Sequence, residues 1–150
     1  MHPRLAPVIA AIGLAGLAAM TLGGCFTPAD DGACRRDRDC GDEVCSNVGE
    51  CASVTYRLRV GWTLHGATAN QPGACERVAE LELIVSDPST GEEFAVRPVP
   101  CGIGSLLLDK MPPAYSAVVL TAYGAGGDPL TSAAGSTDPA VGIVNLDLRP

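Results

Sequence analysis

The chain has 150 residues, of which 10 are basic and 17 acidic, so its formal net charge at pH 7 is −7. This acidic balance argues against binding to nucleic acid and against electrostatic adhesion to anionic lipid. Removal of residues 1–24, which carry Arg4 and no acid, leaves 9 basic and 17 acidic side chains and a net charge of −8. The remaining 126 residues are enough for one domain with a hydrophobic core and a small appendage.

The N-terminus has the pattern of a secretory signal peptide, in which a short basic head precedes an uncharged apolar run over 5–22. Eighteen such residues are the lower limit for a transmembrane helix, so a permanent anchor is one alternative and an ordinary signal peptide is another. Two observations favour a lipoprotein signal. No basic stop-transfer cluster follows the run, and two small residues, Gly23 and Gly24, stand immediately before Cys25.

The sequence Leu22-Gly23-Gly24-Cys25 resembles the lipobox that bacterial signal peptidase II recognises. The resemblance implies cleavage between Gly24 and Cys25, attachment of diacylglycerol to the Cys25 sulfur, and acylation of the new amino group, for example by palmitate. We therefore expect a lipoprotein of the bacterial cell envelope, whose partner is a membrane bound through two or more acyl chains. Phe26, in place of Asp, resembles the enterobacterial signal for the outer membrane over the inner one, in a source with two membranes.

Residues 25–33 are expected to form a lipidated, solvated tether, because Pro28, Gly32 and two acidic residues disfavour packing. The next segment, 34–51, has the cysteine spacing C-x5-C-x4-C-x5-C and only two sizeable apolar residues, so it needs covalent cross-links to fold. An exported chain meets oxidising conditions, which favour disulfides. Zinc is the alternative, but structural zinc sites favour cysteine pairs two to four residues apart. We expect no metal and disulfides throughout, formed by Cys34, Cys40, Cys45 and Cys51.

Four cysteines permit three pairings, and the residues alone do not choose among them. The spacing is similar to that of short Cys-rich knots in other exported proteins, and this resemblance implies the pairs Cys34–Cys45 and Cys40–Cys51. Cys75 and Cys101 are then left for each other. They flank two strand candidates that would form an antiparallel hairpin around 88–91, which would bring the two cysteines close together.

The acidic residues within 37–43 raise the alternative of a calcium site, since hard cations bind clustered carboxylates. The frame of an EF-hand loop is absent, and Arg36 and Arg38 would repel the ion. We expect a solvated charged loop with local ion pairs, and calcium stays an open alternative at this point.

From Tyr56 onward the sequence shows the alternation of half-buried strands, beginning with apolar residues that alternate with Arg57, Arg59, Gly61 and Thr63. Turns rich in Gly and Pro separate the later candidates, and no stretch of ten or more residues has a clean helical period. The pattern predicts an all-β fold, a single antiparallel β-sandwich of about seven strands over 55–150. The strand candidates are 56–64, 80–85, 93–99, 104–109, 115–123, 129–135 and 142–148.

Leu106 and Leu108, then Met111-Pro112-Pro113-Ala114-Tyr115, an apolar strand and a Gly-rich turn resemble the "L-x-P-G-x-Y-x-V" signature of carboxypeptidase-regulatory-like and transthyretin-like sandwich modules. Ala114 stands where that signature has its turn glycine. The resemblance covers about 56–150 and implies a structural or contact-mediating module of a secreted or surface protein. It carries no catalytic set to this chain.

The residues themselves point to no catalytic site. After the leader there is one histidine, His65, at the end of the first strand, and the Gly-x-Ser-x-Gly motif is absent. Cysteines that are lipidated or paired leave no thiol nucleophile, and no glycine-rich loop matches a phosphate-binding pattern. A pair of carboxylates of the glycosidase type stays open, because any two acids could converge. We expect no enzyme activity, no catalytic residue and no cofactor.

Two functions remain. The leading one is a non-enzymatic structural or protein-interaction module on the envelope. The alternative is a surface protein that binds a small ligand or a polysaccharide through the loops 65–77 and 124–139. Tyr56 and Trp62 could form an aromatic platform for a sugar, but the alternation places both in the core. The expected partner is therefore an envelope protein or polysaccharide.

Overall fold

A computed structural model describes residues 33–150. The predicted signal peptide, the lipidation site Cys25 and the tether up to Gly32 lie outside the described residues. Two short 3-10 helices, Asp37–Asp39 and Cys101–Ile103, accompany ten strands. The strands are β1 Val44–Cys45, β2 Cys51–Ala52, β3 Tyr56–Leu64, β4 Ala67–Thr68, β5 Glu80–Ser86, β6 Glu93–Val99, β7 Ser105–Met111, β8 Ala117–Tyr123, β9 Pro129–Ser136 and β10 Ile143–Leu148. No helix within 33–150 is long and apolar enough to cross a bilayer.

The predicted all-β sandwich is confirmed. One of its sheets is antiparallel throughout, in the order β6-β5-β8-β9. The other is built around β3, which has β10 on one side and β7 and the short β4 on the other. A third, two-stranded sheet, β1-β2, lies in the Cys-rich segment. One pairing in the sandwich is parallel, because β10 runs alongside β3 with Ile143 beside Arg59 and Leu148 beside Leu64.

The core lies between the two sheets and follows from the period of two along each strand. In β3 the side chains of Leu58, Val60, Trp62 and Leu64 turn inward and are buried, while the residues between them turn outward. Burying one large aliphatic side chain stabilises the fold by about 1.5–3 kcal/mol. In β8 even the outward residues are half-buried, as expected for a strand with neighbours on both sides.

The strand boundaries differ from the predicted ones in two informative places. β8 begins at Ala117, two residues later than predicted, because Tyr115 belongs to the preceding turn and donates its N–H to the Pro112 carbonyl at 3.0 Å. β7 extends to Met111, beyond the predicted end at 109. The short strands β1, β2 and β4 were not predicted, since two residues carry no measurable period.

Three disulfides are present, and they join the pairs expected above. Their Cα–Cα distances are 5.7, 5.4 and 5.9 Å for Cys34–Cys45, Cys40–Cys51 and Cys75–Cys101. β5 and β6 form the expected antiparallel hairpin, and the third disulfide closes its open end. The sulfur atoms of Cys34, Cys40 and Cys51 lie within 4.8 Å of one another. Because each is bonded in a disulfide, none offers a thiolate to a metal ion.

The Cys-rich knot, residues 34–52, packs against one end of the sandwich. Val48 of the knot contacts the core, and the Asn47 N–H donates to the Lys110 carbonyl at 3.1 Å. The Lys110 ammonium in turn lies 2.7 and 2.9 Å from the two carboxylate oxygens of Asp37. The knot is therefore docked on the sandwich at the end of β7.

The loops divide between the two ends of the sandwich. The stretch 65–79 and the turn 124–128 share the end opposite the knot, where the Ala79 N–H donates to the Tyr123 carbonyl at 2.8 Å. Residues 129–136, half of the predicted loop 124–139, form strand β9, which agrees with the strand candidate 129–135. The remainder of that range, from Thr137, lies at the knot end. The two predicted binding loops therefore meet only through 124–128.

Candidate interaction face

The outer face of the β10-β3-β7 sheet carries side chains in cross-strand rows. One row consists of Ile143, Arg59 and Leu107, in that order across the three strands. Opposite residues of neighbouring strands have Cβ atoms about 4.5–5.5 Å apart, so the three side chains form one continuous surface. We call this row the Arg59 row.

A depression of about 400 Å³ lies beside the Arg59 row, over the next row of the sheet. Gly61 forms its floor, between Asn145 of β10 and Ser105 of β7. A Cβ at position 61 would lie 2.6 Å from the side-chain oxygen of Asn145, so that side chain would have to shift if another residue replaced this glycine. Arg59 borders the depression on one side and Asp147 on the other. The site therefore combines a cation, an amide, a hydroxyl and a carboxylate.

The Asp147 carboxylate is held by groups of the same chain. Its Oδ1 accepts hydrogen bonds from the Gly66 N–H and the Thr63 hydroxyl, both at 2.8 Å, and its Oδ2 accepts one from Arg149 Nε at 3.0 Å. The Gly66 N–H, followed by Thr63 and Arg149, lowers the pKa of Asp147 below its ordinary value. This carboxylate fixes the turn after β3 and is not poised to exchange a proton near neutral pH.

Arg59 differs from its neighbours because it has no ion-pair partner within residues 33–150. Arg57, which lies two residues earlier on the same face of β3, forms an ion pair with Asp109 at 2.8 Å. Arg59 is instead flanked by two exposed apolar side chains, Leu107 at 48% and Ile143 at 52% exposure. Arginine and apolar residues are typical of the centres of protein–protein interfaces. The Arg59 row is thus the part of this face that most resembles a contact surface.

The two aromatic residues considered for sugar binding, Tyr56 and Trp62, pack in the interior and form hydrogen bonds with backbone carbonyls. Trp62 is only 4% exposed, and its Nε1–H donates to the Cys101 carbonyl at 2.9 Å. Tyr56 is half-buried and donates its hydroxyl to the Tyr115 carbonyl at 2.5 Å. Burial raises the pKa of Tyr56 to about 12. Neither ring is free to stack on a ligand at the outer face.

His65 lies at the end of β3 with a φ of 50°, and its Nε2 is 2.9 Å from the carbonyl oxygen of Pro150. Within residues 33–150, the ring makes no hydrogen bond to a serine hydroxyl or to a side-chain carboxylate. Its only bonded partner there is the backbone oxygen of Pro150, which orients the ring. The geometry assembles no nucleophile–base pair around this histidine.

The acidic loop 37–43 uses two of its carboxylates for local structure. Asp39 Oδ2 accepts the N–H groups of Arg35 and Arg36, both at 3.0 Å. Asp37 accepts the Cys45 N–H at 3.1 Å together with the Lys110 ammonium. The pKa of Asp37 is lowered chiefly by Lys110, and that of Asp39 chiefly by the Arg35 N–H. These carboxylate oxygens accept hydrogen bonds from groups of the same chain. This agrees with the charged loop with local ion pairs that the sequence predicts.

The outer face of the four-stranded sheet offers a contrast. At its centre Ile84 and Val119 lie opposite each other and are half-buried. Near one end, the guanidinium of Arg97 pairs with Glu80 and lies 4.2 Å from the centre of the Tyr123 ring. Arg97, the cation on this face, therefore already has an ion-pair partner, whereas Arg59 has none within residues 33–150.

The chain matches no protein-family model, and no curated protein or solved structure gives a significant match. The resemblances to the lipobox and to transthyretin-like modules therefore stay predictions. The alternation in β3 did indicate that Arg59 and Gly61 turn outward. Their neighbours Asn145 and Ile143 were missed, because no local pattern reveals that β10 lies beside β3.

Proposed function

We propose that the protein is a lipid-anchored lipoprotein of the cell envelope, whose sandwich is a non-enzymatic protein-interaction module. The observation that supports it best is the Arg59 row. An exposed guanidinium without an ion-pair partner in residues 33–150 lies between two exposed apolar side chains on the outer face of the sheet. A surface of this composition gains free energy when a partner supplies a carboxylate and apolar contact together.

The proposed attachment follows from the Leu22-Gly23-Gly24-Cys25 motif. From Cys25 to Ala33, where the described structure begins, there are eight residue steps, which span at most about 28 Å when fully extended. A lipid on Cys25 would therefore hold the knot close to the membrane, and the sandwich would project beyond it. Phe26 favours the outer membrane in a source with two membranes.

A small ligand or a polysaccharide is the second candidate, and the depression over Gly61 favours it. Its volume of about 400 Å³ falls within the range of small-molecule sites, and its lining includes the polar side chains of Arg59, Asn145 and Asp147. It is shallow, however, and the aromatic residue in its lining, Trp62, is only 4% exposed because its ring turns into the core, so that ring offers no face on which a sugar could stack. The protein-interaction function therefore ranks first.

Attachment is tested by intact-mass spectrometry of the chain isolated from its envelope, beside the variant Cys25→Ser. We expect the wild type to begin at Cys25 and to carry the mass of two or more acyl chains. The variant should accumulate as an unprocessed precursor of full length. A wild-type chain with an unmodified terminus would contradict the proposed anchor.

The interaction is tested with a photo-crosslinking amino acid placed in turn at positions 107, 143 and 119. The first two lie on the Arg59 row, and Val119 on the other sheet serves as the matched control. We expect discrete adducts with one envelope protein from 107 and 143, which Arg59→Gln weakens. Adducts from 119 alone would move the interface to the four-stranded sheet. A glycan array that binds wild type but not Asn145→Ala would favour the second candidate.

A further inference from the structure

The strand β7 is an edge of the sheet that is built around β3. Within residues 33–150 it pairs only with β3, and its far side has no strand partner. The knot covers the last part of this edge, where the Asn47 N–H donates to the Lys110 carbonyl. The segment 105–109 is left open. Its first four residues, Ser-Leu-Leu-Leu, contain neither charge nor proline, two of the devices that protect edge strands; the charges and the β-bulge of β7 come only from Asp109 onward.

The backbone groups that face outward on β7 follow from alternation. The Trp62 N–H donates to the Gly104 carbonyl at 3.0 Å, so that carbonyl points toward β3. In an antiparallel ladder the backbone groups of successive residues point to opposite sides. Those of Ser105 and Leu107, and the Asp109 N–H, therefore point away from β3, toward the open side. The register shift between Leu108 and Met111 ends the regular alternation, so an added strand would find three N–H groups and two carbonyls in register.

The other edges of the sandwich are protected. β9 and β10 pack against each other, and Leu146 lies close above Gly135. β6, which borders the open side together with β7, carries Pro98 and the charged Arg97 near its end. Among the four long edge strands of the two large sheets in the described chain, which are β6, β7, β9 and β10, only β7 is both uncovered and free of proline.

The interior at this open side is incompletely covered. Phe94 and Val96 of β6 and Leu106 of β7 point toward the core, yet all three stay half-buried. A strand added beside β7 would place every second side chain over these residues. Each apolar side chain that it brought would remove further apolar surface from water, at about 25 cal/mol per Å².

The depression on the outer face opens toward the same edge, across the small side chain of Ser105. A residue of an added strand that lies opposite Ser105 would direct its side chain over Ser105 toward Gly61. Arg59 and Asn145 line that position. The charge complement of an unpaired guanidinium is a carboxylate, which binds arginine through two parallel hydrogen bonds. The edge of β7 would therefore bind the backbone of an added strand, and the depression would bind one of its acidic side chains.

A second copy of this chain fits the edge less well. Antiparallel pairing of two β7 strands would point their knots in opposite directions. A tether of at most about 28 Å holds each knot near the membrane, so two copies on one membrane would conflict. Each copy also carries a net charge of −8 after removal of the leader.

We propose that β7 binds an extended peptide segment of a partner protein by strand addition, with alternate apolar residues over Leu106 and an acidic side chain over Gly61, bound by Arg59. This inference rests on the proposed interaction function and names the partner's chemistry. Main-chain hydrogen bonds along 105–109 supply affinity, and the depression supplies selectivity for the carboxylate.

The probe is a set of fluorescein-labelled seven-residue peptides in which valine alternates with threonine. At each threonine position in turn, the set contains one peptide with glutamate, one with glutamine and one with lysine. Binding to the full chain in detergent is followed by fluorescence anisotropy. In one register we expect the glutamate peptide to bind about fivefold more tightly than the glutamine peptide, and more tightly still than the lysine peptide. Arg59→Gln should remove the preference for glutamate, so that the glutamate and glutamine peptides bind this variant equally.

The variant Leu107→Pro tests the edge, because it removes an N–H that points away from β3. Leu107→Thr is its matched control, since it shortens the same side chain and keeps the N–H. We expect at least about tenfold weaker binding of the glutamate peptide to Leu107→Pro than to Leu107→Thr. Amide exchange on the wild type supplies a second readout, in which the peptide should protect Ser105, Leu107 and Asp109.

Each contrary result overturns the inference. Absence of binding by every peptide, equal binding to the two Leu107 variants, or protection of β6 in place of β7 would each refute strand addition. A concentration-dependent dimer that Leu107→Pro abolishes would assign the edge to a second copy. If these tests fail while crosslinks from positions 107 and 143 are obtained, the interaction function stands and the mode of binding proposed here is wrong.

Discussion

The Lys110 ammonium lies 2.7 Å from Asp37 Oδ1 and 2.9 Å from Asp37 Oδ2, across 73 positions of sequence. This pair, the Asn47–Lys110 backbone hydrogen bond and the packing of Val48 are the contacts that dock the knot on the sandwich. Asp37 also accepts the Cys45 N–H, so the same carboxylate organises the inside of the knot and its attachment. Docking and internal order of the knot are therefore coupled through one side chain.

That coupling predicts a pH dependence. The pKa of Asp37 is lowered in the folded state from an ordinary value of 3.8, chiefly by Lys110. The stabilisation is present above pH 3.8 and is lost as the pH falls through the lower folded-state pKa. An NMR titration of the Asp37 carboxyl should show a midpoint below 3.8 in the wild type and a higher one in Lys110→Met.

The same variant tests docking directly. In Lys110→Met the protection of the Asn47 amide against hydrogen exchange should fall at neutral pH, by less than about fivefold because the pair is exposed to solvent. Amides in the middle of β8 serve as the internal control and should keep their protection. Unchanged exchange at Asn47 would show that Val48, and not the ion pair, holds the knot.

The disulfide Cys75–Cys101 is expected to contribute strongly to stability. It closes a loop with a sequence separation of 26, and in the chain-entropy model such a cross-link stabilises the fold by about 3.5 kcal/mol. The double change Cys75→Ser, Cys101→Ser should lower the melting temperature by about 14 °C for a domain of this size. Peptide mapping should find the other two disulfides intact. The double change Cys34→Ser, Cys45→Ser should move the sandwich transition by much less, because that bridge lies within the knot.

Gly142 is a position where glycine is required. Its φ is 65°, and a Cβ there would overlap the carbonyl oxygen of Arg57 on the adjacent strand. We expect Gly142→Ala to destabilise the fold by more than about 3 kcal/mol in denaturant unfolding. Gly91→Ala is the matched control, because Gly91 has a φ of 78° with open space around its Cα. That variant should cost only the conformational penalty of about 1–2 kcal/mol. Equal losses would mean that β10 moves away from β3 at little cost.

Tyr56 should be the tyrosine that ionises at about pH 12. Its pKa is raised by burial, so the folded state holds the proton that the unfolded state releases near pH 10. The corresponding stabilisation is complete below pH 10 and is lost as the pH rises through about 12. Spectrophotometric titration of Tyr56→Phe should lack this step. The variant should also lose about 1 kcal/mol at neutral pH with its hydrogen bond to Tyr115.

Much of the sandwich is visible in local sequence, and β3 shows why. Its inward Leu58, Val60 and Trp62 alternate with outward Arg57 and Arg59, and period two is a property of strands that one face of a sheet imposes. The pairing of Cys75 with Cys101 was also accessible, because a hairpin fixes which strand ends meet. Both inferences rest on interactions between residues that are close in sequence or joined by one turn.

The features that define the candidate site depend on contacts between residues that are far apart in sequence. Asn145 reaches over Gly61 only because β10 lies parallel to β3, and a strand's own pattern does not name its neighbour. The pairing of Lys110 with Asp37 could not be predicted either. It depends on how the knot docks on the sandwich, and the sequence offers many other charged residues as possible partners. The strand candidate 129–135 is confirmed as β9, so the range 124–139 given for a binding loop was too wide; the signal of β9 is weak because its Ala, Ser and Gly residues carry little hydrophobic pattern.

The parallel pairing of β10 with β3 has a consequence for how the chain reaches its fold. Paired residues, such as Arg59 and Ile143, are 84 positions apart, so this ladder has a high contact order and forms late. A chain made from its amino end presents β3 long before β10 exists. Until then Val60 and Trp62 lack the layer of Val144 and Leu146 that helps to cover them. During synthesis the chain therefore depends on being held in an unaggregated state until its final strand arrives.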